Sequence, residues 1–213
     1  MNDNESRSCI DCAAAGCRKS EGNYPPFCRT LSLDDDVLAE AMREYEKEDI
    51  RLFAVAAAEV EADNYCRMTR VEETIEFARK IRAKKLGIAT CVGLLSEART
   101  AAKIFRAAGF EMAGIACKCG AQRKTRIGIP ERCEGVGPHM CNPILQAKLL
   151  AKEKTDLNIA IGLCVGHDSL FYQYSEAPVT TLVVKDRVLA HNPVGALYQA
   201  DKYYRKLLPP SSE

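Results

Sequence analysis

The chain has 213 residues, with 30 Lys and Arg against 29 Asp and Glu, a formal charge of +1 and 11 cysteines. That length holds one full domain and a small appendage, and the near-even mix of signs gives no long-range field that would select nucleic acid or an anionic membrane. Cysteines at about 5% of the chain fall below the roughly 8–10% of a short secreted disulfide scaffold, so a reducing, cytoplasmic setting with metal or thiol chemistry is expected. The opening MNDNESRSC has no basic stretch followed by an apolar one, and no secretory signal is expected. Charged residues interrupt every apolar run well short of the ~18 residues of a membrane span.

In chain order, segment 1–33 carries Cys9, Cys12, Cys17 and Cys28 among Gly and Pro and very few large apolar residues. Such a segment cannot offset its ordering entropy by apolar burial, and four thiolates on a metal would hold it. Ser32 is placed to cap a helix opened by Asp34, Asp35 and Asp36. Apolar residues then recur at helical spacing through Leu38, Met42 and Tyr45 and again through Phe53, Ala56 and Val60, which predicts one long or broken helix to about residue 63. A second helix, 70–84, completes a helical connection over 34–84.

From 85 onward short apolar runs alternate with helices: strand 86–90, helix 94–108 stopped by Gly109, strand 110–116, a helix from Pro143 to about 154, strand 157–163, a short helix near 167–175 and strand 179–184. This pattern predicts a Rossmann-like α/β domain over 85–213, a three-layer sandwich with a mostly parallel sheet. Lys185-Asp186-Arg187 followed by 188–190 reads as a hairpin that adds an antiparallel edge. A last helix spans about 195–208 before Pro209-Pro210.

On this map Cys91, Cys117 and Cys164 each follow directly the last residue of a predicted strand. A free cysteine is commonly a small buried hydrophobe, but the carboxyl ends of parallel strands line one crevice, where such folds bind ligands. Cys119 lies two residues beyond Cys117, and Cys141 precedes the helix opened by Asn142-Pro143, so five thiols converge on one edge. The amino-terminal spacing C-x2-C-x4-C-x10-C supplies a chelating pair and two further thiols, a four-cysteine site that does not choose between zinc and an iron-sulfur cluster.

In Gly162-Leu163-Cys164-Val165-Gly166-His167-Asp168, two glycines let backbone approach a ligand closely. The next helix directs free amides to the thiol, which favours a thiolate for ligation or attack. Cys164 and His167 are therefore the candidate catalytic pair, although a helix cap at Asp168 and a satisfied polar His167 explain those two residues equally well. Loop 118–132 carries Lys118, Arg123, Lys124, Arg126 and Arg132 against Glu131. Solvation is the commoner reason for such a bias, yet Lys118, Arg123 and Arg126 suit a thiolate-rich cluster or a small anionic substrate. No interleaved aromatics point to single-stranded nucleic acid, and no G-x-G-x-x-G or P-loop occurs. Cys66 and Cys133 have no assigned task, and His139 reads as a loop residue.

The C-x2-C-x4-C opening with Tyr24-Pro25-Pro26-Phe27-Cys28, the stretch Cys141-Asn142-Pro143, the run GLCVGHDSLF at 162–171 and APVTTLVVKDRVLAHNP at 177–193 together resemble the cysteine-rich prokaryotic family catalogued as domain of unknown function 1847. The resemblance covers nearly the whole chain. That family is described as metal-binding without a settled metal, substrate or reaction. The resemblance supports Cys9, Cys12, Cys17, Cys28, Cys141 and Cys164 as motif positions and draws attention to His191-Asn192-Pro193. The expected function is a metalloprotein with a 4Fe-4S cluster on some four of Cys91, Cys117, Cys119, Cys141 and Cys164, and zinc as the alternative, especially at the amino-terminal site. Electron transfer or reductive chemistry with a redox partner protein would follow. The rivals are a thiol redox or sulfur-transfer enzyme and a zinc-stabilised carrier or sensor without turnover.

Overall fold

The computed structural model describes residues 7–19 and 22–209; most of the opening stretch read for a signal, and Pro210 of the expected helix stop, lie outside them. The chain divides into two compact units, Met1–Ala58 and Glu59–Glu213.

In the first unit, two short 3-10 turns, Cys9–Asp11 and Gly16–Arg18, carry three of the four amino-terminal cysteines or their neighbours. Gly16 is buried, and a Cβ on it would stand 2.3 Å from the Asn23 carbonyl oxygen, so only glycine permits this close backbone approach. Helix α1 spans Asp35–Glu46, and α2 spans Glu48–Asn64, running across the division between units. Asp34, and not Ser32, is the cap: its carboxylate accepts the Asp36 and Val37 amides at 2.9 and 3.4 Å. A carboxylate two residues nearer the helix also answers the positive end of its dipole better than a hydroxyl. The break between α1 and α2 falls at Lys47, in extended conformation, with Glu48 and Asp49 opening the new helix.

In the second unit, α3 covers Arg70–Lys80, shorter than the expected 70–84. Thr69 and Glu72 form a reciprocal capping box, with the Thr69 amide donating to Glu72 at 2.8 Å. We expect Thr69→Ala to cost about 1 kcal/mol, read as a lower urea midpoint with an unchanged slope.

Strands β1 (Lys85–Thr90), β2 (Glu111–Ala116), β3 (Leu157–Leu163) and β4 (Val179–Val184) alternate with α4 (Leu95–Ala107), α5 (Pro143–Lys152) and α6 (His167–Tyr174). They form one four-stranded sheet in the order β2-β1-β3-β4, with every pairing parallel. The central strands are buried on both faces, β3 along its whole length and β1 from Leu86 on, as parallel strands between crossovers should be. Phe105 of α4, Leu150 of α5 and Phe171 of α6 are fully buried, and α5 packs on α6.

The expected antiparallel edge does not form. After β4 the Asp186 carboxylate accepts the amides of Val188 and Leu189 at 2.8 and 2.9 Å, and Ala190 and His191 take positive φ. This local turn curls the chain away from a return strand. The expected helix 195–208 is reduced to α7, Val194–Tyr198, a turn, and a 3-10 turn at Arg205–Leu207. Of the apolar face that periodicity suggested, Leu197, Ala200, Tyr204 and Leu207, both leucines are exposed, so it has too little cover in this unit to sustain a longer helix. Among the described residues, no helix is long and apolar enough to cross a membrane.

Candidate functional site

The order β2-β1-β3-β4 reverses direction between β1 and β3, so a crevice opens at the carboxyl ends of those two strands. Each strand places a reactive or cationic side chain one residue past its end: Cys91 after β1, Cys117 after β2, Cys164 after β3 and Lys185 after β4. Gly162, at φ +65, lies where β3 and β4 slip in register, and a Cβ there would meet Leu94 at 2.9 Å. Only glycine tolerates both conditions, and the irregularity re-aims the end of β3 that carries Cys164.

Backbone bonds then gather the thiols. The Cys117 amide donates to Thr90 at 2.8 Å, and the Asn142 amide donates to the Cys117 carbonyl at 2.7 Å, which brings Cys141 alongside. Asn142 caps α5, its side chain accepting the Leu145 amide at 2.9 Å. The His167 amide donates to the Cys164 carbonyl at 2.9 Å, setting the first turn of α6 at the same edge. Below them Gln146 is fully buried, and its Nε2 donates to the carbonyls of Thr90 and Ile115 at 3.1 and 2.7 Å. That amide ties the ends of β1 and β2 together just before Cys91 and Cys117. Sequence reasoning passed over Gln146; its signal is a polar residue in the buried stripe that Ala147 and Leu150 share.

The result is a cavity of about 440 Å³ lined by Cys91, Cys117, Cys141, Cys164 and His167, with Lys118, Lys124, Lys185 and Arg187 around them and no carboxylate among its lining residues. Cys91 and Cys117 are buried, and Cys141 and Cys164 are half-buried. The Gly93 amide donates to the Cys91 sulfur at 3.4 Å and the Val92 amide to the Cys117 sulfur at 3.5 Å. Arg187 donates to the Cys164 sulfur at 2.9 Å.

Cys117 lies between Cys141 and Cys91 and hydrogen-bonds with both. The Cys141 thiol is held well below the usual range by Cys117 and then by His167, and Cys91 by Cys117, the Gly93 amide and Lys185. Cys117 is pushed up, because its proton serves the hydrogen bonds to Cys141 and Cys91 and would be lost on ionisation, while burial opposes the charge and the Cys141 thiolate repels it. It has one proton and serves one neighbour at a time; the other thiolate then relies on its fixed donors. His167 is raised in turn by Cys141, so the pair favours thiolate and imidazolium.

The other sequence-derived candidates lie elsewhere. Cys119 is exposed and does not line the cavity. Of the three cations singled out in loop 118–132, Lys118 lines it, donating to the His139 carbonyl. Arg123 instead pairs with Glu134 at 2.8 Å, and Arg126 donates to Gln122. Lys124 is buried and donates to the Cys133 carbonyl. Cys66 is exposed, and Cys133 half-buried. His191 lines a separate cavity with Arg70, Leu94 and Glu97, its Nδ1 accepting the Asp186 amide at 3.2 Å. In the amino-terminal unit Cys9 and Cys17 are exposed and Cys12 and Cys28 half-buried, with the Cys28 thiol lowered by hydrogen bonds from Thr30. Among the described residues no three His, Cys, Asp or Glu side chains are arranged to hold a metal ion.

These features define a parallel α/β protein with a thiol-lined cavity at the carboxyl edge of its sheet. Residues 28–182 match the family described as protein of unknown function (DUF1847), and the chain belongs to that family. It is similar to the uncharacterized protein MJ0455 of Methanocaldococcus jannaschii, at 46% identity over 173 residues, 81% of this chain and 88% of that protein. The resemblance drawn from the motifs is thereby confirmed. The family match takes in every thiol of the cavity, and Cys9, Cys12, Cys17, Lys185, Arg187 and His191 lie outside it.

Proposed function

We propose that this chain is an iron-sulfur protein, with a 4Fe-4S cluster held by Cys91, Cys117, Cys141 and Cys164 on a Rossmann-like, three-layer frame, working in electron transfer or reductive chemistry in a reducing compartment. The observation that carries the reading is four thiols lining one cavity with four cations and no carboxylate. Soft sulfur donors suit iron-sulfur clusters, and cations around them offset the charge of the ligated cluster. The Gly93 and Val92 amides donate to sulfur, a kind of contact that stabilises the more negative state and raises reduction potential. When bound, the group supplies one-electron transfer; the chain holds it, screens it and limits water. The amino-terminal Cys9, Cys12, Cys17 and Cys28 form a proposed second site, with zinc favoured as its ion because a closed four-thiolate set suits it. Protein purified without oxygen should contain iron and acid-labile sulfide and absorb broadly in the visible. Protein so prepared that lacks all three would overturn the reading.

A second reading, thiol redox chemistry, is favoured by the contact of Cys141 with both His167 and Cys117. The Cys141 thiolate would attack a substrate disulfide, breaking its S–S bond and releasing one thiol. Cys117 would then attack the mixed disulfide, so that the substrate is reduced by two electrons and the two protein thiols are oxidised to a disulfide. Here Cys141→Ser abolishes disulfide reduction and leaves metal content unchanged; loss of iron in that variant sends the choice to the cluster.

A further inference from the structure

The cationic wall exceeds what the thiolates require. A cluster core is itself positive, so the ligated assembly carries less negative charge than its four thiolates, whereas four cations line the cavity. Among the described residues Lys118, Lys124, Lys185 and Arg187 make no ion pair with a carboxylate. Lys118 and Lys124 are committed to the carbonyls of His139 and Cys133, so they shape the wall. Lys185 and Arg187 are turned to the thiols instead, Lys185 to Cys91 and Arg187 to Cys164, so both are aimed into the cavity. Asp186 stands between them in sequence, but its carboxylate accepts the Val188 and Leu189 amides and is turned into the backbone. Arg187 is exposed and presents one nitrogen to the Cys164 sulfur at 2.9 Å. Its guanidinium has five N–H donors in a planar fork matched to paired oxygens.

We infer that the mouth of this cavity binds a small oxyanion, gripped by the Arg187 fork beside Cys164 and the Lys185 ammonium beside Cys91. The inference rests on the reading of the cavity as the reactive centre and names its substrate class: a small molecule carrying an anionic XO₂ or XO₃ group, a carboxylate or a sulfur or phosphorus oxyanion. An oxyanion is chosen over a halide because two oxygens can engage the fork at once. A cavity of about 440 Å³ that must also hold the proposed cluster admits only a small one. Neither residue was singled out as a binding group by the sequence, where Lys185-Asp186-Arg187 reads as the turn of a hairpin.

The test is calorimetric titration of the full chain with sodium sulfate and sodium acetate at low salt, against sodium chloride at matched ionic strength. Iron and sulfide are assayed on the same sample, and the titration is repeated after chelation. Sulfate or acetate should saturate at one per chain, while chloride gives only dilution heat; the stronger of the two separates a tetrahedral oxyanion from a carboxylate. Lys185→Gln with Arg187→Gln should weaken binding about tenfold or more, and Arg187→Lys should weaken it despite keeping the charge. Lys148→Gln, remote and exposed beside Glu176, should not. Heats for both oxyanions equal to those of chloride, or affinity unchanged in the double variant or in Arg187→Lys where the double variant does not fold, overturn the anion site. Because metal content is measured separately, a sample without iron that still binds sulfate sinks only the cluster, and one with iron and no binding sinks only the anion site.

Discussion

Replacing Cys117 by serine is expected to remove iron and acid-labile sulfide from the cavity almost completely, with a greater loss than the same change at Cys119. The two residues are separated by one position, yet Cys117 is buried on the cavity wall and Cys119 is exposed and off it. Cys117 also sits between Cys91 and Cys141 and hydrogen-bonds with both. A serine oxygen is a harder donor than a thiolate and suits an iron-sulfur cluster poorly, so the central position cannot be relieved by a neighbour. The Cys117 backbone bonds to Thr90 and Asn142 do not involve the sulfur and survive the change, so the fold should hold. Far-UV circular dichroism checks that, and metal analysis reads the effect. Equal iron in Cys117→Ser and Cys119→Ser would count against the cavity as the cluster site.

Why this contrast between Cys117 and Cys119 was only half legible is a matter of period. The strand pattern locates the end of β2, and a residue one position past a parallel strand points into the crevice by topology. The chain turns at once beyond it, with the Cys119 amide donating back to Ala116 at 3.0 Å, and no periodicity reports which way a turn sends its side chains. Cys141 was legible for another reason: Asn142-Pro143 marks a helix start, and a helix crossing back to β3 starts at the carboxyl edge. The Asn142 amide bond to Cys117 that seats it there is tertiary and leaves no trace in the sequence.

The cations show the opposite case. Charge density in loop 118–132 drew attention to Arg123 and Arg126, which face Glu134 and Gln122. The pair at the cavity, Lys185 and Arg187, stood in a three-residue run that resembles a hairpin turn. Sequence alone cannot separate the two, because apolar residues on both sides of Lys-Asp-Arg satisfy the hairpin pattern. The deciding interaction is Asp186 accepting two amides beyond itself, an Asx-type turn that ends the strand and does not reverse it into a partner. Similarly, Lys47 breaks the long amino-terminal helix without Gly or Pro, and only the acidic pair Glu48-Asp49 signals a second start.

In metal-free protein, His167→Gln should make alkylation of Cys141 fall by up to about tenfold per unit as pH drops from 8 to 6, where the native rate stays nearly flat. His167 and Cys117 both hold the Cys141 thiol below its usual range, and Cys141 raises His167. The sign follows from which form each partner favours. A depressed thiol pKa keeps the thiolate populated as pH falls through neutrality, so the native rate stays nearly flat over that window. Without the imidazolium the pKa rises towards about 8.5, and each pH unit below it removes about tenfold of the thiolate. Intrinsic nucleophilicity works against this, since a more basic thiolate attacks faster with a Brønsted slope of about 0.4–0.5. The two effects largely cancel in the absolute rate at pH 6, so the slope with pH, which nucleophilicity does not alter, is the readout. A brief pulse of iodoacetamide at each pH, followed by mass spectrometry of the peptide containing Cys141, isolates this thiol from the other ten. Cys66, exposed and outside the cavity, is the internal control and should respond identically in both proteins. Parallel profiles for Cys141 in the two proteins would mean that Cys117, and not His167, sets its ionisation.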